Sequence, residues 1–183
     1  RKDGFEIPYA LYFLPEHIPK VFIVMNELRN RFCDRVDAIE EIVDVGCGVG
    51  TSGIAYNILF EDKRQLYLID RDRRFLDLAR KILKRLNVES VKISLCDYTE
   101  TDIVSNRPAL YFFTNTISEN IKKIGKIGFL IERILKSNKK NIIVIIEPLN
   151  INGRGVIIRL RSEFTNHILM PCISTGDCPL IKS

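Results

Sequence analysis

The residues best suited to chemistry lie in a glycine-rich stretch about a quarter of the way along the chain. Gly46, Gly48 and Gly50 alternate directly after an apolar run that ends in Asp44 and Val45. Alternating glycines between a strand and a helix permit positive φ angles and allow a ligand to approach the bare backbone closely. The stretch therefore predicts a loop that binds a nucleotide-like ligand.

Two acids distinguish this loop from a pyrophosphate-binding turn. Asp44 precedes the first glycine by two residues, where its charge would repel a pyrophosphate and attract a sulfonium or ammonium group. Asp70 follows the next apolar run, about 20 residues after Gly50, where a carboxylate is suited to accept hydrogen bonds from a ribose diol. The spacing Gly48-x-Gly50-x-x-Gly53 also fits the dinucleotide pattern, so that alternative stays open.

The loop needs a framework of alternating strands and helices. Short apolar runs bounded by polar residues or glycine are typical of strands buried in a parallel sheet, and helix-period segments lie between them, most clearly over 73–86. This alternation predicts an α/β fold with a mostly parallel central sheet flanked by helices. Six strands are predicted, at 41–45, 66–69, 91–95, 109–113, 141–146 and 167–170.

The region before the first strand is predicted to be helical over 9–32, and Pro15 and Pro19 are expected to break or kink the helix early. Its broad apolar face favours a helix packed on the sheet over a helix that binds a partner. We therefore predict an N-terminal helical extension over 1–40 and a ligand-binding domain over 41–183.

Composition limits the class of protein. With 46% hydrophobic and 28% charged residues among 183, the chain is neither disordered nor a small disulfide-stapled scaffold. No apolar run approaches the roughly 20 residues that cross a bilayer, so we expect a soluble domain without a membrane partner. Five cysteines without a framework spacing indicate reduced thiols and a reducing compartment, cytoplasm or mitochondrial matrix.

The formal charge of +5 permits contact with nucleic acid but does not establish it. Basic residues crowd the helix after the second strand, flank the helix before the fifth strand, and follow the fifth strand at Arg154, Arg159 and Arg161. Solvated helix faces are the alternative, favoured for the group between Arg80 and Arg85. Arg154 and Arg159 are predicted to lie near the substrate side.

The ordered set of strand ends resembles the class I S-adenosylmethionine-dependent methyltransferases, which have a Rossmann-like fold. The resemblance implies that Asp44 and the 46–50 loop hold the methionine portion of the cofactor, Asp70 the ribose hydroxyls, and Asp97 the adenine amino group. It predicts as cofactor-binding residues Asp44, Gly46, Cys47, Gly48, Gly50, Thr51, Asp70, Arg71, Asp97, Tyr98 and Thr114.

The second half of the chain is more specific. It resembles a methyltransferase-like family associated with the small ribosomal subunit, best known from mitochondria, with bacterial and archaeal relatives. The resemblance implies small-subunit rRNA as the partner and a role in ribosome biogenesis or translation. It rests on Tyr9–Pro15, Gly50-Thr51, Ile117–Glu119, Glu147-Pro148, Gly153, Ile157–Arg161 and Pro171-Cys172 with Cys178-Pro179.

The same resemblance implies a metal centre near the end of the chain. Cys172 and Cys178 match the first two cysteine ligands of an iron–sulfur cluster, and thiolates also suit zinc. The Pro-His that usually follows the first cysteine is Ile173-Ser174 here, and further ligands would lie beyond Ser183. The site is therefore incomplete in this chain, and we expect the 183 residues to be the core of a longer protein.

The methyl-accepting side carries the weakest signature. The Asn-Pro-Pro-Tyr type motif of amino-group methyltransferases is absent after Phe113, as is a cysteine nucleophile for pyrimidine C5 chemistry. Asn115, Ser118 and Glu119 are candidates without an assigned role, with Asn115 and Glu119 the catalytic candidates. For Glu119, an acid that stabilises the start of a helix is the favoured alternative to a catalytic base. Two alternatives to an rRNA methyltransferase remain: a non-catalytic small-subunit assembly factor of the same fold, and a small-molecule or protein methyltransferase.

Overall fold

A five-stranded parallel sheet forms the centre of the computed structural model, which describes residues 4–60 and 64–171. The strands are β1 (Glu41–Val45), β2 (Gln65–Asp70), β3 (Val91–Leu95), β4 (Ala109–Thr114) and β5 (Ile142–Ile146). Their order in the sheet is β3-β2-β1-β4-β5, and every neighbouring pair is parallel. The order reverses between β1 and β4, and ligands of open α/β sheets bind at such a switch point.

Helices cover both faces of the sheet. Alternate strand residues such as Ile42 and Val43 enter two separate core clusters, one with α1, α2 and α3, the other with α4 and α5. This arrangement explains the near-continuous apolar runs of β1 and β4, because both faces are buried. The helices are α1 (Glu6–Asp37), α2 (Thr51–Phe60), α3 (Arg73–Arg85), α4 (Ile124–Ser137) and α5 (Ile151–Glu163), with 3₁₀ helices at Ser118–Lys123 and Thr165–His167.

The predicted sixth strand is wrong. Residues 165–167 form a 3₁₀ turn, with the His167 N–H bonded to the Phe164 carbonyl, and 168–170 pair with no strand of the described sheet. Leu169 and Met170 instead pack as loop residues against the core cluster that contains α1. A short apolar run is the least decisive pattern in a sequence, because burial alone satisfies it.

The prediction of an early break in α1 is also wrong. Pro15 and Pro19 lie inside one helix, and the backbone leaves helical geometry only at Phe32 (φ −139°, ψ 43°). Both prolines are on the exposed side, where water can satisfy the carbonyls that lose their intrahelical partner. No helix in the described ranges has an apolar stretch long enough to span a membrane.

Candidate functional site

A cavity of about 410 Å³ opens at the carboxyl edge of the sheet, within the size range of small-ligand sites. It is lined by the segments that follow β1, β2, β3 and β4, and by α1. Of the eleven residues predicted to bind cofactor, ten line it: Asp44, Gly46, Cys47, Gly48, Thr51, Asp70, Arg71, Asp97, Tyr98 and Thr114. Asn115 and Glu119 line it as well.

Asp44 ties the end of β1 to the start of α2. Its Oδ2 accepts the N–H of Gly53 at 2.9 Å, and the residue is only 1% exposed. Burial raises the pKa of the Asp44 carboxyl to about 7, although hydrogen bonds from the Gly53 and Ser52 backbone oppose the shift. A cation in the cavity would favour the ionised form, so this acid is suited to a positively charged ligand.

Asp70 holds the glycine loop and the start of α3 at once. Its Oδ2 accepts the N–H of Gly48 and its Oδ1 that of Asp72, each at 2.8 Å. Asp72 then caps α3 by accepting the N–H of Arg74 at 3.1 Å. The carboxylate at the end of β2 is therefore fixed in orientation by two backbone donors while facing the cavity.

The three glycines of the loop are needed for different structural reasons. Gly46 (φ +63°) faces Thr116 so closely that an added Cβ would lie 2.1 Å from Oγ1. Gly50 (φ +81°), the predicted cofactor residue that does not line the cavity, lies behind the loop, where a Cβ would meet Ala79 of α3 at 3.2 Å. The lack of a side chain at Gly46 thus makes room for Thr116 after β4, that at Gly50 makes room for α3, and Gly48 presents its backbone to the cavity.

Asp97 lies at the end of β3 beside a lysine. Its carboxylate accepts from the Thr99 hydroxyl at 2.7 Å and from Lys123 Nζ at 2.9 Å. The Thr99 hydrogen bond, and then Lys123, hold the pKa of Asp97 at about 2. Asp97 therefore stays ionised across the physiological range and can accept from an amino group.

The end of β4 contributes uncharged polar groups. Thr114 Oγ1 is 2.8 Å from Ser52 Oγ, which joins β4 to the first turn of α2. Asn115 adopts a left-handed conformation (φ 54°), and its buried Nδ2 has no hydrogen-bond partner among the described residues. Strain and unpaired buried donors cluster at ligand sites because the surrounding structure compensates for them.

The next segment is held by Tyr98, a predicted cofactor residue, and by Asn120 and Glu147, which sequence reasoning did not select as site residues. The Tyr98 hydroxyl donates to the Thr116 carbonyl at 3.3 Å, and Asn120 Nδ2 donates to the same carbonyl at 2.9 Å. Glu147, at the end of β5, accepts the N–H groups of Ile117 (2.8 Å) and Ser118 (3.3 Å). Glu147 rather than Glu119 therefore receives these N–H groups, and burial raises its pKa.

Helix α1 supplies two cavity residues that the sequence did not identify, Tyr9 and His17. The His17 side chain is buried within the apolar stripe of the helix. An isolated histidine on such a stripe gives no signal by itself, and only the tertiary fold brings it to the cavity.

The predicted metal cysteines, Cys172 and Cys178, lie outside the described residues. Within 4–60 and 64–171, no group of three or more His, Cys, Asp or Glu side chains is arranged to hold a metal ion. Cys33, Cys47 and Cys96 are free thiols. Arg154, Arg159 and Arg161, predicted near the substrate side, lie on α5 and do not line this cavity.

Comparison with protein families gives a match over nearly the whole chain. Residues 6–183 match the family described as "Mitochondrial small ribosomal subunit Rsm22". The chain belongs to the Rsm22 family. This assignment agrees with the resemblance identified from the sequence, apart from the cysteine motif, which lies outside the described residues.

Individual relatives are more distant. The Ribosomal RNA small subunit methyltransferase G of Mycoplasma genitalium is 27% identical over 151 residues, which cover 75% of this chain and 74% of that protein. The PH0226 protein of Pyrococcus horikoshii (14% identical, TM-score 0.57) aligns over 75% of this chain, and a S-adenosylmethionine-dependent methyltransferase of Clostridium acetobutylicum (8%, 0.52) over 68%. The chain spans only 64% and 48% of those two proteins. These likenesses show the Rossmann-like fold of the methyltransferases.

Proposed function

We propose that this Rsm22-family protein is an S-adenosylmethionine-dependent methyltransferase that acts on small-subunit rRNA. The observation that carries the proposal is the cavity, where Asp44, Asp70 and Asp97 end three successive strands around one glycine loop. Three carboxylates suit a ligand with cationic groups and hydroxyls, and they disfavour a pyrophosphate. The family assignment and the Mycoplasma relative support small-subunit rRNA as the substrate.

The residues present fit the cofactor. Gly48 places no side chain in the cavity. A Cβ added there would have only Tyr9 Cε1 within 4 Å, at 3.9 Å. Asp70 is oriented to receive ribose hydroxyls, and Asp97 is ionised and able to accept from the adenine amino group. When bound, the cofactor supplies an electrophilic methyl group on a sulfonium.

The protein's contribution to methyl transfer is mainly orientation, since a substitution at a methyl group needs in-line placement of the acceptor. At the end of β4, Thr114 is fixed by Ser52, and Thr116 is fixed by Tyr98 and Asn120. Asn115 lies between these two anchored residues with its amide donor uncommitted. The anchored neighbours therefore hold the backbone of Asn115, from which the amide can donate a hydrogen bond to the substrate.

A charged surface suited to RNA lies beside the cavity. Arg71 and Arg73 are exposed at its rim, and the outer side of α3 continues with Arg80, Lys81, Lys84 and Arg85, all exposed. By contrast, Lys123, Lys126 and Lys136 are each within 2.9 Å of an acid. The α3 side therefore offers the charge for phosphate contacts, whose strength falls steeply with salt.

A non-catalytic assembly factor is the second candidate, favoured by one observation. The titratable residue after β5, Glu147, is committed to backbone N–H groups, and the residues at the end of β4 do not titrate near neutrality. Such a site can bind cofactor and rRNA without turnover. Measurement of methyl transfer separates the two candidates, because both predict cofactor binding.

Calorimetric titration with S-adenosylmethionine and S-adenosylhomocysteine tests the proposal. Asp70→Asn should weaken binding by about 10- to 100-fold, the loss expected for charge-assisted hydrogen bonds. Asp77→Asn changes an exposed acid of α3 that does not line the cavity; it is the matched control and should bind like the wild type. Failure of the wild type to bind either ligand at millimolar concentration would contradict a cofactor role.

Two finer features belong to the same proposal. We place the protein in a reducing compartment, the mitochondrial matrix, because of its family and the free thiols of Cys33, Cys47 and Cys96. We also propose that Cys172 and Cys178 contribute ligands to an iron–sulfur cluster or a zinc ion. Iron and zinc analysis of anaerobically purified protein tests this, and the absence of both metals would exclude it.

A further inference from the structure

Aromatic side chains form a ladder along the first half of α1. Phe5, Tyr9, Phe13 and His17 follow one another at four-residue spacing, with ring centroids 5.9, 4.3 and 5.3 Å apart. The spacing places all four on one side of the helix. Two of the four, Tyr9 and His17, line the cavity.

This part of α1 is fastened to the glycine loop and to α3. Ala10, Val49 and Phe75 form a small buried cluster of their own, and the Tyr9 ring packs against Phe75 at a tilt of 42°, with centroids 4.9 Å apart. The part of α1 that carries Tyr9 is therefore packed in place. Helix α1 thus forms a wall of the cavity.

The histidine in that wall is held in one tautomer. His17 is 9% exposed, and its Nδ1 is 3.1 Å from Lys20 Nζ, which also donates to Glu16 at 2.8 Å. An ammonium group can only donate, so Nδ1 must accept and the ring proton must be on Nε2. Burial, and then the Lys20 charge, lower the pKa of His17, so the ring is neutral at physiological pH.

The Nε2–H group is therefore a hydrogen-bond donor available to a ligand. No hydrogen bond to it occurs within the described parts of the chain. Because His17 lines the cavity, an acceptor group of a bound ligand can take the place of water at this donor. The proposed cofactor has one anionic group, the carboxylate of its methionine portion, whereas the three cavity acids suit its cationic groups and hydroxyls.

We propose that His17 binds the carboxylate of the cofactor's methionine portion through Nε2–H, with Lys20 fixing the tautomer. The inference rests on the proposed function. It makes α1 a specificity element, because ligands with the aminocarboxylate group gain this contact and adenosine ligands without it do not.

Two variants of similar polarity separate the donor from the packing of the ring. The amide nitrogen of His17→Gln can reach the position of Nε2, whereas that of the shorter His17→Asn is confined near Nδ1. His167→Gln changes the exposed histidine on the last 3₁₀ turn and serves as the matched control. Binding is measured by calorimetry with S-adenosylhomocysteine and with 5′-methylthioadenosine, which lacks the aminocarboxylate, and folding by thermal unfolding.

His17→Asn should weaken S-adenosylhomocysteine binding about 10-fold or more and change 5′-methylthioadenosine binding less than about 2-fold. His17→Gln should retain most of the affinity, and His167→Gln all of it. Equal losses for both ligands, or no loss with either variant, would overturn the role of His17 while leaving cofactor binding established. If the wild type binds neither ligand, the proposed function itself fails.

Discussion

The two halves of the cavity differ in how they use their acids. At the ends of β1, β2 and β3, which we call the cofactor half, Asp44, Asp70 and Asp97 fix backbone or side-chain donors and still face the cavity. At the ends of β4 and β5, the acceptor half, Glu147 is committed to the backbone of Ile117 and Ser118.

The two halves therefore suit different parts of the proposed reaction. In the cofactor half, the pKa of Asp44 is raised to about 7, so its ionisation can respond to a charged ligand. The pKa of Asp97 is held at about 2, so this carboxylate stays ionised and can accept hydrogen bonds. The acceptor half offers an uncharged amide at Asn115, whose backbone is left-handed, between anchored threonines. Under the proposed function, the first half binds the cofactor by electrostatics and the second orients the methyl acceptor.

The largest effect is expected where the halves meet, at Gly46. Gly46→Ala would place a Cβ 2.1 Å from Thr116 Oγ1 at a positive φ, so we expect destabilisation of about 3 kcal/mol or more, from strain and overpacking together. Gly48→Ala shares the positive φ but has open space, so it should cost about 1 kcal/mol. Urea unfolding of both variants measures the difference.

A double variant sharpens this test. Gly46→Ala combined with Thr116→Ala removes the Oγ1 atom that a Cβ would meet and should recover part of the lost stability. Similar unfolding free energies for Gly46→Ala and Gly48→Ala would contradict a close contact between Gly46 and Thr116.

The next effect concerns the buried carboxyl of the cofactor half. Because the pKa of Asp44 rises from 3.8 to about 7 on folding, the folded state retains a proton that the unfolded chain loses between these values. Stability from this group is therefore present below pH 4 and is lost as pH rises to 7. Asp44→Asn should reduce the fall in unfolding free energy between pH 5 and 7.5 by about 1 kcal/mol or more.

Cofactor binding should show the opposite trend. A cationic ligand favours ionised Asp44, so affinity for S-adenosylmethionine should increase from pH 6 to 8 in the wild type and stay nearly flat in Asp44→Asn. The checks are urea titration and calorimetry at each pH. Parallel pH profiles for the two proteins would show that Asp44 does not cause the pH dependence of stability or of cofactor affinity.

The smallest change in stability is expected in the acceptor half. Asn115→Gly relieves the left-handed backbone and removes the buried, unpaired Nδ2, so the variant should be as stable as the wild type or about 0.5–1 kcal/mol more stable. Methyl transfer should fall at least about 10-fold, with cofactor affinity unchanged.

If Asn115 has only a structural role, the expected rate of methyl transfer is different. The glycine variant would then transfer methyl groups at the wild-type rate, whatever its thermal unfolding midpoint. Thr101→Gly, at an exposed position outside the cavity, is a control for glycine substitution and should leave methyl transfer intact.

The sequence predicted the cofactor half far better than the acceptor half. Strand ends, alternating glycines and single acids are local patterns, and they placed Asp44, Asp70 and Asp97 around one cavity. The five strands of the described sheet were predicted within a residue or two of their bounds. The 167–170 run was wrong because loop residues packed on a core show the same short apolar pattern as a strand.

The rest depended on contacts that no local pattern carries. Glu147 and Ile117 are 30 residues apart, and the closeness of Gly46 to Thr116 results from the pairing of β1 with β4. His17 reaches the cavity only because α1 packs against the glycine loop and α3. The prolines of α1 suggested a break because the sequence does not show which side of the helix is exposed.

The most direct test measures transfer of a tritiated methyl group from S-adenosylmethionine to small-subunit rRNA. The substrate is small ribosomal subunits from cells that lack this protein, and large-subunit rRNA serves as the control. The account predicts tritium in small-subunit rRNA with the wild type and a loss of at least about 10-fold with Asp70→Asn. Cofactor binding by the wild type without any transfer to small-subunit rRNA would contradict the methyltransferase function and leave the non-catalytic assembly factor.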